Sequence, residues 1–500
     1  MERAPGHDRS RRRGVAIAVL AALTLLVPLV AFAASREGGR ATAPTAAAPS
    51  FVRDVAPIVR AKCAGCHMDG GIAPFAFETE RDLATRAAQI VQAVGERRMP
   101  PWPPGPTSPR YVEQAGGTVT ASQRSTLLRW AKAELVRPGA PRRGASVGRP
   151  PRSVTTARPG ERVLDLAMPV TYTPKARNGG TDDYRCFVLD PKLSEDAFVT
   201  SARVAPGRAA IVHHVILYRV LPTAIEGAEK LDRAETGPGW TCFGTAGIDR
   251  PSGASGFGFL DDAGWIAAWA PGSTGGRLRE GTGISLPAGS RIVMQVHYNL
   301  LNGVEADRSR AVLTTAPASA GLTPVSTTLL PAPVELPCAK GETGELCDRT
   351  AAQFDQVRKY GQEAGLIPTG LLLLCGKNGA NPPTGPVTTC DRRIATSTTI
   401  QAVMGHMHLL GTSIRVELNP GTTRRSVLLD IPRWDFHWQS SYLLAKPIVV
   451  GPGDVVRVTC RHDAGKRKAL RPKVGPRYIL WGEGTTDEMC LGVLQVTRGG

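Results

Sequence analysis

Hydrophobic and polar positions along the chain change period three times. Residues 14–34 (GVAIAVLAALTLLVPLVAFAA) carry no charge and follow Arg9 and Arg11–Arg13. A basic start, an apolar run and the Ala31-Phe32-Ala33 triplet make an export signal with a cleavage site. The run is also long enough to span a bilayer, so 1–35 is either a cleaved signal peptide or a retained membrane anchor. Residues 36–50 read as a small-residue tether. From 51 to 136 the period is helical. Ser50 can cap a helix at 51–62, and Leu83, Ala87, Ile90, Val91 and Val94 share one helical face. Thr120-Ala121-Ser122-Gln123 is a capping box that opens a helix to about residue 136, with Leu127, Leu128, Ala131 and Leu135 turned inward. Residues 137–162 are rich in Pro, Gly and Arg with no apolar period, the pattern of a linker. Beyond it, short β-branched runs at 211–220, 291–298, 412–418 and 454–460 alternate with Gly and Pro. That is the pattern of antiparallel sandwiches, and about 340 residues are too many for one. The expected fold is multidomain: an all-α domain at 51–136, then two all-β antiparallel, jelly-roll-like sandwich domains at 163–311 and 312–500.

Composition refines this only slightly. Aromatic residues are 5% against 55 Gly and 41 Pro, which favours short strands and turns. The net charge of +18 is not gathered into a basic helix or a nucleic-acid motif, so no nucleic-acid partner is expected. Setting aside the two Cys of the motif below, Cys186, Cys242, Cys338, Cys347, Cys375, Cys390, Cys460 and Cys490 remain. An even number in an exported chain suggests four disulfides. The expected location is periplasmic, extracellular or the outer face of the cytoplasmic membrane. Membrane contact follows only if the N-terminal segment stays uncleaved.

Cys63-Ala64-Gly65-Cys66-His67 is C-x-x-C-H, the attachment sequence of one covalently bound haem c. Two thiols form thioethers, and the adjacent imidazole becomes an axial ligand. Met99, in Arg98-Met99-Pro100-Pro101-Trp102, is the candidate sixth ligand, because flanking prolines hold a Met loop extended. Residues 51–136 resemble a class I cytochrome c domain. The Pro74–Phe77 and Met99–Pro103 segments are similar to cytochrome modules fused to bacterial copper oxygenases.

The chain has nine His, and five fall in three short motifs: His213-His214, His297 in Gln295-Val296-His297-Tyr298, and His406-Met407-His408. Strand residues two apart share a face, so His406 and His408 can hold one ion. His213 and His214 would point to opposite faces unless a strand end or bulge intervenes. Imidazoles without acidic residues at ligand spacing suit copper or zinc. In order with Asp487-Glu488-Met489-Cys490, these motifs resemble the copper type II, ascorbate-dependent monooxygenases, which include peptidylglycine α-hydroxylating and dopamine β-monooxygenase. The resemblance spans about 163–500. It implies two copper ions: an electron-storing one on His213, His214 and His297, and an oxygen-activating one on His406, His408 and Met489. It implies sandwiches facing each other across a solvent-filled cleft, a family match at Gln295, and a Cys460–Cys490 disulfide. Cys186–Cys242 is the next pair, and proximity in sequence suggests Cys338–Cys347 and Cys375–Cys390.

The implied function is hydroxylation of a C–H bond of a small organic substrate with O2, catalysed at His406, His408 and Met489. Electrons would come from an external donor, an ascorbate-like reductant or a redox protein, through the haem. The peptide-amidating branch has carboxylate-binding residues where this chain has Met404, Leu491 and Val493, which points to a less polar pocket. Asp435–Gln439 (DFHWQ) is a candidate cleft lining, with His437 its extra polar residue, and His462 reads as a loop residue. The alternative is a non-catalytic exported electron-transfer or copper-handling protein that keeps the metal motifs.

Overall fold

The change of period near residue 160 is where the strands begin. The computed structural model describes residues 48–69, 73–136, 144–148, 157–176, 181–242, 245–248, 260–270, 273, 275–470 and 475–498. The expected signal or anchor at 1–35 lies outside them. Among the described residues, one sheet of nine strands carries both β halves of the chain. Its main order is Arg162–Ala167, Arg310–Pro317, Ala197–Ala205, Thr282–Leu286, Thr323–Pro331, Leu491–Arg498, Thr398–His406 and Ser441–Val450. The join is a short parallel ladder, Thr323 beside Thr282 and Pro324 beside Gly283.

A second sheet covers the N-terminal half, in the order Trp240–Thr241, Asp182–Leu189, Arg291–Asn299, Val212–Val220, Trp265–Trp269. A third covers the C-terminal half, in the order Val387–Arg393, Val455–His462, Gly411–Leu418, Ser426–Ile431. Inward residues of facing sheets make two apolar cores. One includes Phe187, Leu217, Met294 and Leu313; the other includes Val403, Ile414, Leu429 and Val458. Disulfides join Cys186–Cys242, Cys338–Cys347, Cys375–Cys390 and Cys460–Cys490. Four disulfides fit an exported protein. Among the described residues, no helix is long and apolar enough to cross a membrane.

The expected fold class needs correction. Among the described residues the chain is mostly β sheet with a few short helices, and these residues show no all-α cytochrome c domain ahead of two separate sandwiches. The N-terminal helices are Ala56–Lys62, Glu80–Thr85, Ala87–Gly95, Gln114–Gly117 and Ala121–Leu135. The capping box at Thr120 and Gln123 is present, and Leu83, Ala87, Ile90 and Val94 are buried as their period requires. The stretch between the helices, however, belongs to the β body. Tyr111 bridges to Leu444, is 4% exposed within the C-terminal core, and donates its hydroxyl to the Leu428 carbonyl at 2.7 Å. The Gly105 N–H donates to the Asp430 carbonyl at 2.7 Å, and Trp102 packs edge-on against Tyr442. Residues 102–113 have no helical period because their apolar side chains answer to a sheet rather than to neighbouring helices. Within the stretch expected as a linker, Ser146 pairs with Thr79 and Val147 is buried against the helices.

Candidate metal centres and the crevice beside them

His213, His214 and His297 come from neighbouring strands. The ladder between them slips by one residue between Val212 and His214. That bulge turns two consecutive imidazoles toward one point, as an unbroken strand could not. The three Nδ1 atoms form a triangle with sides of 3.2, 3.3 and 3.3 Å. Its centre lies about 1.9 Å from each corner, close to an imidazole–metal bond length. His297 Nε2 donates to Asp182 Oδ1 at 2.7 Å, which leaves its Nδ1 as an open lone pair. Burial, and then the neighbouring imidazoles, push His213 and His214 well below the ordinary histidine pKa, so both are neutral. Three imidazole nitrogens turned on one another at this spacing fit a metal ion.

His406 and His408 end the strand Thr398–His406 and begin the turn after it. His406 Nδ1 donates to Gln439 Oε1 at 2.6 Å, and His408 Nδ1 to the Asp487 carbonyl at 3.2 Å. Both therefore present Nε2, and their ring centroids are 5.2 Å apart. Burial lowers His406 to about 3 and lowers His408 as well. Glu488, next to Met489, is fully buried. Its carboxylate accepts the N–H groups of His408 (3.0 Å), Leu410 (2.5 Å), Gly411 (3.1 Å) and Met489 (3.1 Å). Burial would raise this carboxyl, but the His462 imidazole beside it and these donors hold it below its ordinary value. His462 is thus a buried strand residue at the site, not the loop residue expected. The Cys460–Cys490 disulfide fixes the far side of Met489.

The two histidine groups touch. His214 and His406 lie 6.3 Å apart, ring to ring, and Phe436 stacks on His213 at 4.4 Å and 17°. The Thr485 hydroxyl donates to Asp182 Oδ1 at 2.5 Å, Asn299 Nδ2 to Thr485 at 3.3 Å, and the Tyr184 hydroxyl to the Glu483 carbonyl. Where a solvent-filled cleft was expected there is direct contact, because the turn 483–487 lies against the strands bearing Asp182 and His297. What remains open is a cavity of about 180 Å³, with His214, His406 and Met489 in its wall. Met404, Leu491, Val493, Trp265, Trp269 and Trp481 make the wall apolar. Glu483 is its carboxyl group, raised to about 8 by burial and by Asp487 nearby. Gln295 is buried in the sheet, where its Nε2 donates to the Cys242 carbonyl at 3.0 Å. His437 is exposed and pairs with Asp435 at 3.3 Å, so it does not face the cavity.

Cys63, Cys66, His67 and Met99 line a second cavity of about 280 Å³, walled by Phe75, Phe77, Leu127 and Trp130. Both thiols are free and half-buried, and burial pushes Cys63 up to about 12. His67 Nδ1 donates to the Phe75 carbonyl at 3.0 Å, leaving Nε2 open, and its ring stacks on Phe77 at 4.4 Å. Two unpaired thiols and one oriented imidazole on an apolar crevice fit a thioether-linked haem.

Asp182, Glu488, Gln439 and Phe436 were not singled out from the sequence as site residues. Glu488 stood inside a quoted motif, and Phe436 and Gln439 stood in Asp435–Gln439, a candidate cleft lining in which only His437 was given a part. Asp182 gave no signal. No curated protein matches the chain. Solved structures with some likeness include the major capsid protein P2 from bacteriophage PM2, 10% identical over 67% of this chain and 97% of that chain, with a TM-score of 0.25. Allantoicase is 11% identical over 65% and 90%, with a TM-score of 0.14, and the coconut allergen cocosin 12% over 67% and 86%, with a TM-score of 0.13. None of these likenesses bears on what this chain does. Residues 383–495, which include His406, His408 and Met489, match the family described as copper type II ascorbate-dependent monooxygenase, C-terminal domain. That match, over less than a quarter of the chain, makes the C-terminal segment similar to the copper type II ascorbate-dependent monooxygenases and implies copper as the metal there.

Proposed function

We propose that the chain hydroxylates a C–H bond of a small, largely apolar organic substrate with O2. Copper would be held by His213, His214 and His297 and by His406, His408 and Met489. Electrons from an external donor would enter through a haem held by Cys63, Cys66, His67 and Met99. The observation that carries this reading is a group of three imidazoles set 6.3 Å, ring to ring, from a pair of them, with His214, His406 and the Met489 thioether in the wall of one apolar cavity. Bound copper would supply one-electron chemistry and oxygen activation, and a soft sulfur donor favours the cuprous state. The chain's own residues do the rest. Asp182 and Gln439 hold imidazole protons and aim the opposite nitrogens inward. Glu488 pins Met489 to the His408 turn. The tryptophans and Leu491 exclude water and accept an apolar substrate.

Metal analysis of the haem-loaded protein should find two coppers per chain, with reductant-dependent O2 uptake stimulated by small apolar or aromatic compounds. Met489→Ala should keep copper at His213, His214 and His297 and lose O2 uptake. Two coppers with no response to O2 under any reductant would instead indicate electron transfer or copper handling.

A further inference from the structure

One stretch of chain, Asp435–Gln439, reaches the crevice and both histidine groups. Trp438 shares the crevice wall with Met99, Pro100 and Pro101, and among the described residues it alone comes to that wall from beyond residue 130. The next residue, Gln439, is 2% exposed and accepts from His406 Nδ1 at 2.6 Å. Its Nε2 donates back to the Phe436 carbonyl at 2.9 Å. Phe436 stacks on His213 at 4.4 Å and meets His408 edge-on at 6.0 Å. The turn is held by the Trp438 N–H donating to the Asp435 carbonyl (3.1 Å) and by Trp434 Nε1 donating to the His408 carbonyl (3.0 Å).

We propose that Asp435–Gln439 is an electron bridge from the crevice to both histidine groups, with Trp438 as its entry. The proposal rests on the haem and copper reading above. From Trp438 to His406 the path is covalent bonds and one hydrogen bond. From Trp438 to His213 it is two residues of backbone and one ring stack. Electronic coupling falls off far more slowly along bonds and hydrogen bonds than across open space. Packing alone asks for an apolar filler at 438; a bridge asks for an aromatic ring there. With both groups bound, each passage would carry one electron from a ferrous haem, left ferric, to a cupric ion, left cuprous. Two passages, fed by an outside one-electron reductant, serve one hydroxylation.

The test uses the full chain loaded with haem and copper, without oxygen. A photogenerated flavin semiquinone reduces the haem in a pulse. Haem absorbance then reports reoxidation while the cupric resonance signal falls. Trp438→Leu should slow reoxidation by an order of magnitude or more, with the haem spectrum, haem potential and cupric line shape unchanged. Trp438→Phe should recover most of the rate. A Trp438→Leu chain that reoxidises at the parental rate overturns the bridge. So does a slowed rate accompanied by a shifted haem potential or cupric signal, because Trp438 would then act on the centres rather than between them. A chain purified without covalent haem overturns the haem reading and the bridge together.

Discussion

Three of the buried imidazoles have their second nitrogen held by groups outside the candidate ligand set, His297 by Asp182, His406 by Gln439 and His408 by the Asp487 carbonyl, and such supports orient a metal-binding ring. Asp182 fixes the His297 tautomer across 2.7 Å. Asp182→Asn should weaken copper at that group by about 10–100-fold, read by titration against a competing chelator. Glu488 acts on backbone rather than on a ring, gathering four N–H groups from both sides of the His408 turn. Glu488→Gln keeps the shape but exchanges two charged acceptors for one neutral acceptor and a donor. It should cost about 3 kcal/mol in urea unfolding and release the copper bound by His406, His408 and Met489 first. The candidate ligands stood out because histidine is scarce in this sequence and falls in short motifs. Their supports were not, since Asp182 belongs to a strand whose alternation gives no reason to mark one carboxylate.

Elements were legible where period and chemistry agreed. The capped helix Ala121–Leu135 and the strands Arg291–Asn299 and Val455–His462 follow the sequence pattern within a residue or two. The bulge before His214 was legible only as a need of the chemistry, because a one-residue slip leaves no mark in composition. The lead-in to the first β-strand shows a different dependence. Burial alone would raise the Glu161 carboxyl, but Arg277 at 2.7 Å, the Arg158 N–H at 2.7 Å and the Thr200 hydroxyl at 2.8 Å hold it down to about 2. The unfolded chain therefore takes up the proton first. The contribution, up to about 3 kcal/mol, is complete above pH 4.5 and lost as pH falls toward 2. Glu161→Gln should flatten that acid limb when melting temperature is followed from pH 6 down to about pH 2.

At the scale of the molecule, the helical segment is fastened to the C-terminal core through Tyr111 and Trp102. Hydrophobic period reports how a segment serves its own neighbourhood, so it missed this attachment. Tyr111→Phe removes the buried hydroxyl's bond to Leu428 and should cost about 1–2 kcal/mol, lowering the midpoint of the helical and β signals together rather than one alone. The β halves are also held to each other. Arg279 donates to Gln401 at 2.7 Å and to the Leu444 carbonyl, and Asp261 receives Arg392 and Arg498, each at 2.7 Å. A chain cut within the exposed turn Ala318–Ala320 should still elute as one species in size exclusion under native conditions.

The parallel ladder at Thr282 and Thr323 has a last consequence. Because one hydrogen-bonded sheet runs from one half to the other, the strand that ends at His406 shares its frame with the strands that back the sheet bearing His213, His214 and His297. A guest should therefore be admitted by girth, without the halves parting.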